Sequence, residues 1–167
     1  EPVLRTYLLS LISTNIIKSR QQIKDFFART FWAQQFGDMN YLLKTIDKLL
    51  KLLEKWTFLQ QIDNGYRATY LGKRVAELYI DPLTANHLIT GLKRSAGEKL
   101  NLFTTIQLVC NTLEMRPLLK VKTKEYEEVQ QKTIPFAIDM LDLEPSQFEP
   151  EYEDWLNSVK TAFMLAD

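Results

Sequence analysis

Arg67-Ala-Thr-Tyr-Leu-Gly-Lys-Arg-Val-Ala-Glu-Leu-Tyr-Ile-Asp-Pro82 is the stretch whose reading decides the fold. It opens as an alternating, strand-like run and switches at Leu71 to helical spacing, with Leu71, Val75, Leu78 and Tyr79 inward. It closes on Asp81-Pro82, a capping residue followed by a proline suited to the first turn of a further helix. Just upstream, Phe58–Ile62 and Tyr66–Tyr70 flank Asp63-Asn64-Gly65. Asn-Gly predicts a hairpin with a type I′ turn, both central residues at positive φ.

Working back from the hairpin, three amphipathic helices precede it. Leu4, Tyr7, Leu8, Leu11 and Ile12 line one helical face after Pro2. Ser19-Arg20-Gln21-Gln22 is a capping box that launches a second helix, with Ile23, Phe26, Phe27 and Phe31 inward and an end near Gly37. Asp38 caps a third, whose inward face is Leu42, Leu43, Ile46, Leu49, Leu50, Leu53 and Trp56. Helix-helix-helix-hairpin is the order of a winged helix, a helix-turn-helix followed by a β wing.

Downstream the pattern is all helix. Ala85, Leu88, Ile89 and Leu92 face inward on the helix begun at Pro82. Leu102, Phe103, Ile106, Val109, Cys110 and Leu113 mark a strongly apolar helix that stops near Pro117. A helix from about Thr123, with Tyr126, Val129, Thr133 and Met140, is split or kinked by Pro135. Residues 143–150 read as a linker, and Trp155, Leu156, Val159, Ala162, Phe163 and Ala166 mark a last helix with no stop signal, which reads as truncated. The expected class is therefore mainly α: a winged helix over residues 1–80, then a helical bundle over 81–167.

Composition is that of an ordinary globular chain: 167 residues, 46% hydrophobic, 25% charged, net charge zero. The two halves differ in sign. Residues 1–80 carry 12 Lys and Arg against 7 Asp and Glu; residues 81–167 carry 9 against 14. The front half is the better candidate for touching phosphates. The longest uncharged run, Leu100–Leu113, is shorter than the roughly 20 residues a membrane span needs. A single cysteine, Cys110, and a single histidine, His87, cannot supply a disulfide or a structural zinc site, so a cytoplasmic setting is the default.

No catalytic motif emerges. The five glycines form no phosphate-cradling loop, and Gly72-Lys73 lacks both the earlier glycine and the following hydroxyl. No metal site is expected: the acidic groups Glu125/Glu127/Glu128 and Glu151/Glu153/Asp154 read as solvated helix faces. His87 reads as a boundary residue without an acidic partner, Cys110 as core, and Trp32, Trp56 and Trp155 as core rather than base-stacking platforms. The patterned charge lies on the third helix, where Lys44, Lys48, Lys51 and Lys55 recur at i, i+4, i+7 and i+11. At about 100° per residue they fall in a stripe about 60° wide, opposite the leucine face. Such lysines neutralise phosphates without reading bases, and the same pattern also suits a merely solvated face. Arg67, Lys73 and Arg74 are candidates to extend the basic surface from the wing.

Several stretches are similar to one known family. Glu1–Thr6, Leu9–Thr14 and Phe27–Phe31 with Gln35 resemble the post-motor region of archaeal Hjm-type DNA-repair helicases, in the Ski-two-like branch of superfamily two. Thr69-x-Leu71-Gly72-x-x-Val75-Ala76-x-x-Tyr79-Ile80-x-Pro82 resembles the signature that follows the wing in that branch, and Val159–Ala162 with Leu165 resembles its helical domain. The resemblance implies a winged helix and the first part of a "ratchet" domain, behind two motor domains that use ATP and magnesium and move 3′ to 5′ on DNA. It implies no cofactor in this region itself. It implies single-stranded or forked DNA, bound without sequence preference, and the protein's own motor domains as partners of a monomer. Two other readings stay open: a free-standing, dimeric winged-helix regulator, and a protein-docking module that uses Phe26, Phe27, Phe31 and Trp32.

Overall fold

The computed structural model describes residues 2–30, 38–63, 65–95, 97 and 99–166. It is mainly helical, with one two-stranded antiparallel sheet among the described residues, and it divides into two compact units, residues 1–85 and 86–167.

In the first unit, α1 (Pro2–Ser13) buries Leu4, Leu8, Leu9 and Ile12 on one face. α2 (Arg20–Ala28) starts at the expected capping box: the Gln22 amide donates to Ser19 Oγ, and the Ser19 amide to Gln22 Oε1 at 3.1 Å. Its length differs from expectation. The helix ends at Ala28, and the amides of Arg29 and Thr30 turn back onto Phe26 and Phe27. Phe31, Trp32, Gln35 and Gly37 lie outside the described residues. Phe27 is buried with Ile23, whereas Phe26, expected inward, is exposed.

α3 (Met39–Lys55) is capped by Asp38, whose Oδ1 accepts from the Asn40 and Tyr41 amides. Leu42, Ile46, Leu49, Leu50 and Leu53 are buried on it. Leu43 is half-buried, and Trp56 is the half-buried C-cap, its ring edge-on to Phe58. The chain then reverses through Thr57 at φ 62°, with Thr57 N bonded to Glu54 O and Phe58 N to Leu53 O. This is a Schellman ending, with threonine where glycine is usual.

β1 (Leu59–Ile62) pairs with β2 (Gly65–Ala68) in the register Leu59↔Ala68, Gln60↔Arg67, Gln61↔Tyr66, Ile62↔Gly65. The hairpin stands where the sequence puts it, but its turn does not. Ile62 pairs with Gly65, so Gly65 is a strand residue without positive φ; Asn64 lies outside the described residues. The Gly65 backbone instead lies against the link between α1 and α2: a Cβ there would sit 2.0 Å from the Lys18 carbonyl oxygen, to which Tyr66 N donates at 2.7 Å. Ser19 adds a bridge to Gly65, a one-residue third rung of the sheet.

Thr69, expected in the strand, is the N-cap of α4 (Tyr70–Glu77); its Oγ1 accepts from Gly72 N and donates to Thr57 O. Gly72 is required by close approach, since a Cβ would sit 2.0 Å from the Phe58 carbonyl oxygen. α4 ends one turn sooner than the spacing predicts. Val75 is buried and Leu71 half-buried, but Leu78 is an exposed C-cap and Tyr79, at φ 56°, is exposed. α5 (Pro82–Arg94) follows, with Asp81 Oδ1 accepting from Leu83 N. The same carboxylate receives Arg5 of α1 bidentately, Nε to Oδ1 at 2.7 Å and Nη2 to Oδ2 at 2.8 Å, with both residues buried.

In the second unit, α6 (Leu102–Cys110), α7 (Tyr126–Thr133) and α8 (Glu151–Ala166) carry the packing. The core is Phe103, Cys110, Val129, Tyr152, Trp155, Leu156, Val159 and Ala162, with Phe136 and Phe163 against the Phe103 ring. The chain breaks at Pro135 as expected: α7 passes into a 3-10 segment, Ile134–Asp139. α6 is rotated from its predicted orientation. Leu102, Val109 and Leu113 are exposed, while Thr104, Gln107 and Leu108 are buried. Of the inward face predicted for α5, Leu88 and Ile89 are half-buried and Leu92 is exposed; Gly91 is buried against Leu108.

The rotation of α6 has a polar cause. Gln107 Nε2 donates to Asp142 Oδ2 and to Ser158 Oγ at 3.0 Å, and Asn111 Nδ2 donates to Asp142 Oδ2 at 2.8 Å. These bonds satisfy a buried carboxylate, which an apolar face could not do.

Candidate nucleic-acid interface

Lys44, Lys48, Lys51 and Lys55 are all exposed on α3, along about 16 Å of helix axis. Every fully buried residue of the helix lies on the opposite face, so the stripe is the solvent side of a helix held rigidly from behind. Among the described residues no ion pair involves any of the four lysines. The one carboxylate of α3 that forms an ion pair, Asp47, is held by Arg20 of α2. The face is therefore positive, and its charge is available to an anion.

The other three basic candidates stand on separate elements. Arg67 is exposed on β2, opposite Gln60, and Lys73 and Arg74 are exposed on α4, where Arg74 pairs with Glu77. α3 packs on α1 and β1, whereas α4 packs on α1 and β2. The seven residues are thus spread over three elements, and α3 alone carries a continuous row. Tyr70, 83% exposed, begins α4 beside Lys73 and Arg74, an exposed ring that apolar periodicity counted into the strand.

No metal-binding constellation of three or more His, Cys, Asp or Glu occurs among the described residues. His87 does have an acidic neighbour, contrary to expectation: Nδ1 is 4.0 Å from Asp142 Oδ1, and Nε2 is 3.2 Å from the Leu108 carbonyl. The residue is built into the second unit rather than into a catalytic pair. Cys110 is fully buried, as expected, and burial pushes its thiol above the usual range. Trp155 is core; Trp32 lies outside the described residues. The aromatic docking face proposed for α2 is thinned, since Phe27 is inside and Phe26 alone is an exposed ring there among the described residues. Gly65 and Gly72, packed against backbone carbonyls, have no space to cradle a phosphate.

A helix-helix-helix-hairpin unit with a lysine-lined third helix, followed by a helical unit, has the form of a winged-helix region joined to a helical domain. Residues 103–167 match the family described as archaeal helicase, domain 4. Over 163 residues, 95% of its length, the chain is 36% identical to the ATP-dependent DNA helicase Hel308 of Methanocaldococcus jannaschii, of which it covers 13%. It is 32% identical over 166 residues to the protein of the same name from Methanocella arvoryzae, covering 22% of it, and 28% identical over 209 residues to that of Methanococcus vannielii, covering 28%. The chain belongs to this family of archaeal DNA helicases, as a helicase-associated region. It spans between about an eighth and just over a quarter of the length of these relatives. No described helix is long and apolar enough to cross a membrane.

Proposed function

We propose that this chain is the non-catalytic part of an ATP-dependent 3′ to 5′ DNA helicase, a winged helix over residues 1–80 and the first part of a ratchet domain over 81–167. It links motor to ratchet domain and makes weak, sequence-independent contacts with DNA phosphates. ATP and magnesium belong to the motor domains of the parent protein, which are its intramolecular partners. Single-stranded or forked DNA is the ligand, and the chain acts as a cytoplasmic monomer. The observation that carries this reading is the row Lys44, Lys48, Lys51 and Lys55, exposed and, among the described residues, without ion pairs on the third helix of a chain from a DNA-helicase family.

Lysine supplies a mobile point charge rather than a planar fork, and α3 carries no arginine, so its contacts neutralise phosphate and leave bases unread. Arg67, Lys73 and Arg74 add charge from the wing and from α4. The linking role falls to the stretch Leu71–Pro82. Gly72 seats α4 against the start of β1, and Arg5 holds Asp81, the residue that starts α5. Fluorescence anisotropy with single-stranded and forked DNA at two salt concentrations tests the DNA part. Binding that weakens with salt and falls with Lys48→Glu/Lys51→Glu is expected. No binding at low salt, or binding indifferent to that double substitution, would overturn it.

A further inference from the structure

The second unit, acidic as a whole, contains a nine-residue stretch of opposite sign. Arg116-Pro-Leu-Leu-Lys-Val-Lys-Thr-Lys124 has four basic residues and no acidic one. Its backbone over residues 116–122 belongs to no helix or strand, yet it is fixed. Leu119 N donates to Thr161 Oγ1 at 3.0 Å, Val121 N donates to Asn157 Oδ1 at 2.7 Å, and Lys160 Nζ donates to the Lys120 carbonyl at 2.9 Å. All three anchors come from α8. Asn157 and Thr161 are one helical turn apart, about 6 Å, and alternate amides of an extended chain are about 6.6 Å apart, so helix and segment are in register.

That register decides what faces out. In an extended chain, side chains alternate. Val121 packs on the core of the unit, so Lys120 and Lys122 leave on the other side, and both are exposed, as is Lys124 in the turn that follows. None of the three makes an ion pair among the described residues. Two carboxylates of the unit are engaged by other cations: Glu125 by Lys160 at 2.7 Å and Asp154 by Arg116 at 2.8 Å. Lys160 thus does two things at once, fixing the segment and neutralising the acid that would otherwise hold its lysines.

We infer that the segment 116–124 is a second phosphate-tracking surface, a pinned extended ridge whose Lys120, Lys122 and Lys124 follow the backbone of single-stranded nucleic acid. The inference rests on the DNA-handling reading above and locates a contact in the half of the chain whose net charge argues against one. An extended ridge with cations at every second residue fits a flexible single strand, whereas the α3 row is a straight helical edge.

Lysine acetylation footprinting of the whole chain, with and without a single-stranded thymidine oligonucleotide, separates the two surfaces. Protection of Lys120, Lys122 and Lys124 is expected, with no comparable protection by polyglutamate of equal charge. In anisotropy, Lys120→Ala/Lys122→Ala/Lys124→Ala should lower the salt slope for single strands by about 2, at about 0.7 per phosphate contact. Protection of the α3 lysines alone, with an unchanged slope in the triple variant, would overturn this inference and leave the first reading standing. Protection of 120–124 alone would remove the α3 contacts and leave the ridge. Equal protection by polyglutamate, or no protection anywhere, would overturn the ridge as a nucleic-acid surface.

Discussion

The two units solve the same packing problem with different chemistry. Residues 1–85 are held by apolar faces that interlock through two points of close backbone approach, at Gly65 and Gly72, and by one buried ion pair, Arg5–Asp81. Residues 86–167 bury a polar set instead: Gln107, Asn157, Ser158 and Thr161 are inside, bonded to one another, to Asp142 or to backbone amides, and Thr104 is inside with its hydroxyl donating to the Asn101 carbonyl. In the first unit helix faces are dictated by hydrophobic area. In the second they are dictated by where hydrogen bonds must go.

This contrast ranks the substitutions. Gly72→Val should be the most damaging, because its Cβ meets the Phe58 backbone carbonyl and neither helix nor strand can give way. We expect a loss above about 3 kcal/mol, since backbone is harder to move than a repacked core. Gly91→Ala is the matched control in the second unit: the nearest atoms to its Cβ would be those of the Leu108 side chain, the methyl carbons at 2.5 and 2.8 Å and Cγ at 3.2 Å. Side-chain movement relieves that contact, and urea denaturation should show a loss of about 1 kcal/mol. Equal losses at the two glycines would break the comparison.

Arg5→Ala removes the guanidinium from a buried carboxylate and should cost about 3 kcal/mol. Arg5→Met/Asp81→Asn should cost less, because no buried charge is then left without its counter-ion. Denaturation midpoints of the single and double variants check both, and a double variant worse than the single would contradict the account. Thr57→Gly acts in the opposite direction. A β-branched residue at φ 62° is strained where glycine is not, so thermal unfolding should show a gain of about 1 kcal/mol.

The smallest effect is a pH dependence in the second unit. The hydrogen bond from Lys160, and then that from the Lys122 amide, holds the Glu125 carboxyl below the usual range. A depressed carboxyl stabilises the fold above its unfolded pKa, about 4.3, and loses that contribution as pH falls through the lower folded value. Glu125→Gln keeps an acceptor for the Lys122 amide but removes the charge. The melting-temperature gap between wild type and variant should therefore be larger at pH 6 than at pH 3; a gap that is constant with pH would contradict the assignment.

The same contrast explains what was legible in the sequence. Apolar periodicity located α1, α3, the hairpin and the break at Pro135, and the side-chain chemistry of Ser19, Asp38 and Asp81 located three helix starts. It misplaced the turn because Asn-Gly is also compatible with glycine as a strand residue, and the need for Gly65 arises from Lys18, far away in sequence. It misoriented α6 because Gln107 reads as solvent-facing until Asp142 and Ser158 are brought beside it, and Thr104 reads likewise although its hydroxyl is satisfied by the Asn101 carbonyl at the start of its own helix. Of the candidate site, the α3 lysines were visible as a period opposite the leucines. The ridge at 116–124 was not, because the charge count of its half is negative and its anchors on α8 lie some forty residues further along.

The central claim, that the chain contacts DNA phosphates through α3 without reading sequence, is tested most directly by the salt dependence of its affinity for two forked DNAs of unrelated sequence. The account predicts equal affinities for both forks and a linear fall of log affinity with log salt. Lys48→Ala/Lys51→Ala should make that slope shallower by about 2, at about 0.9 per duplex phosphate contact. A slope unchanged by the double substitution, or a tenfold preference for one sequence, would contradict it.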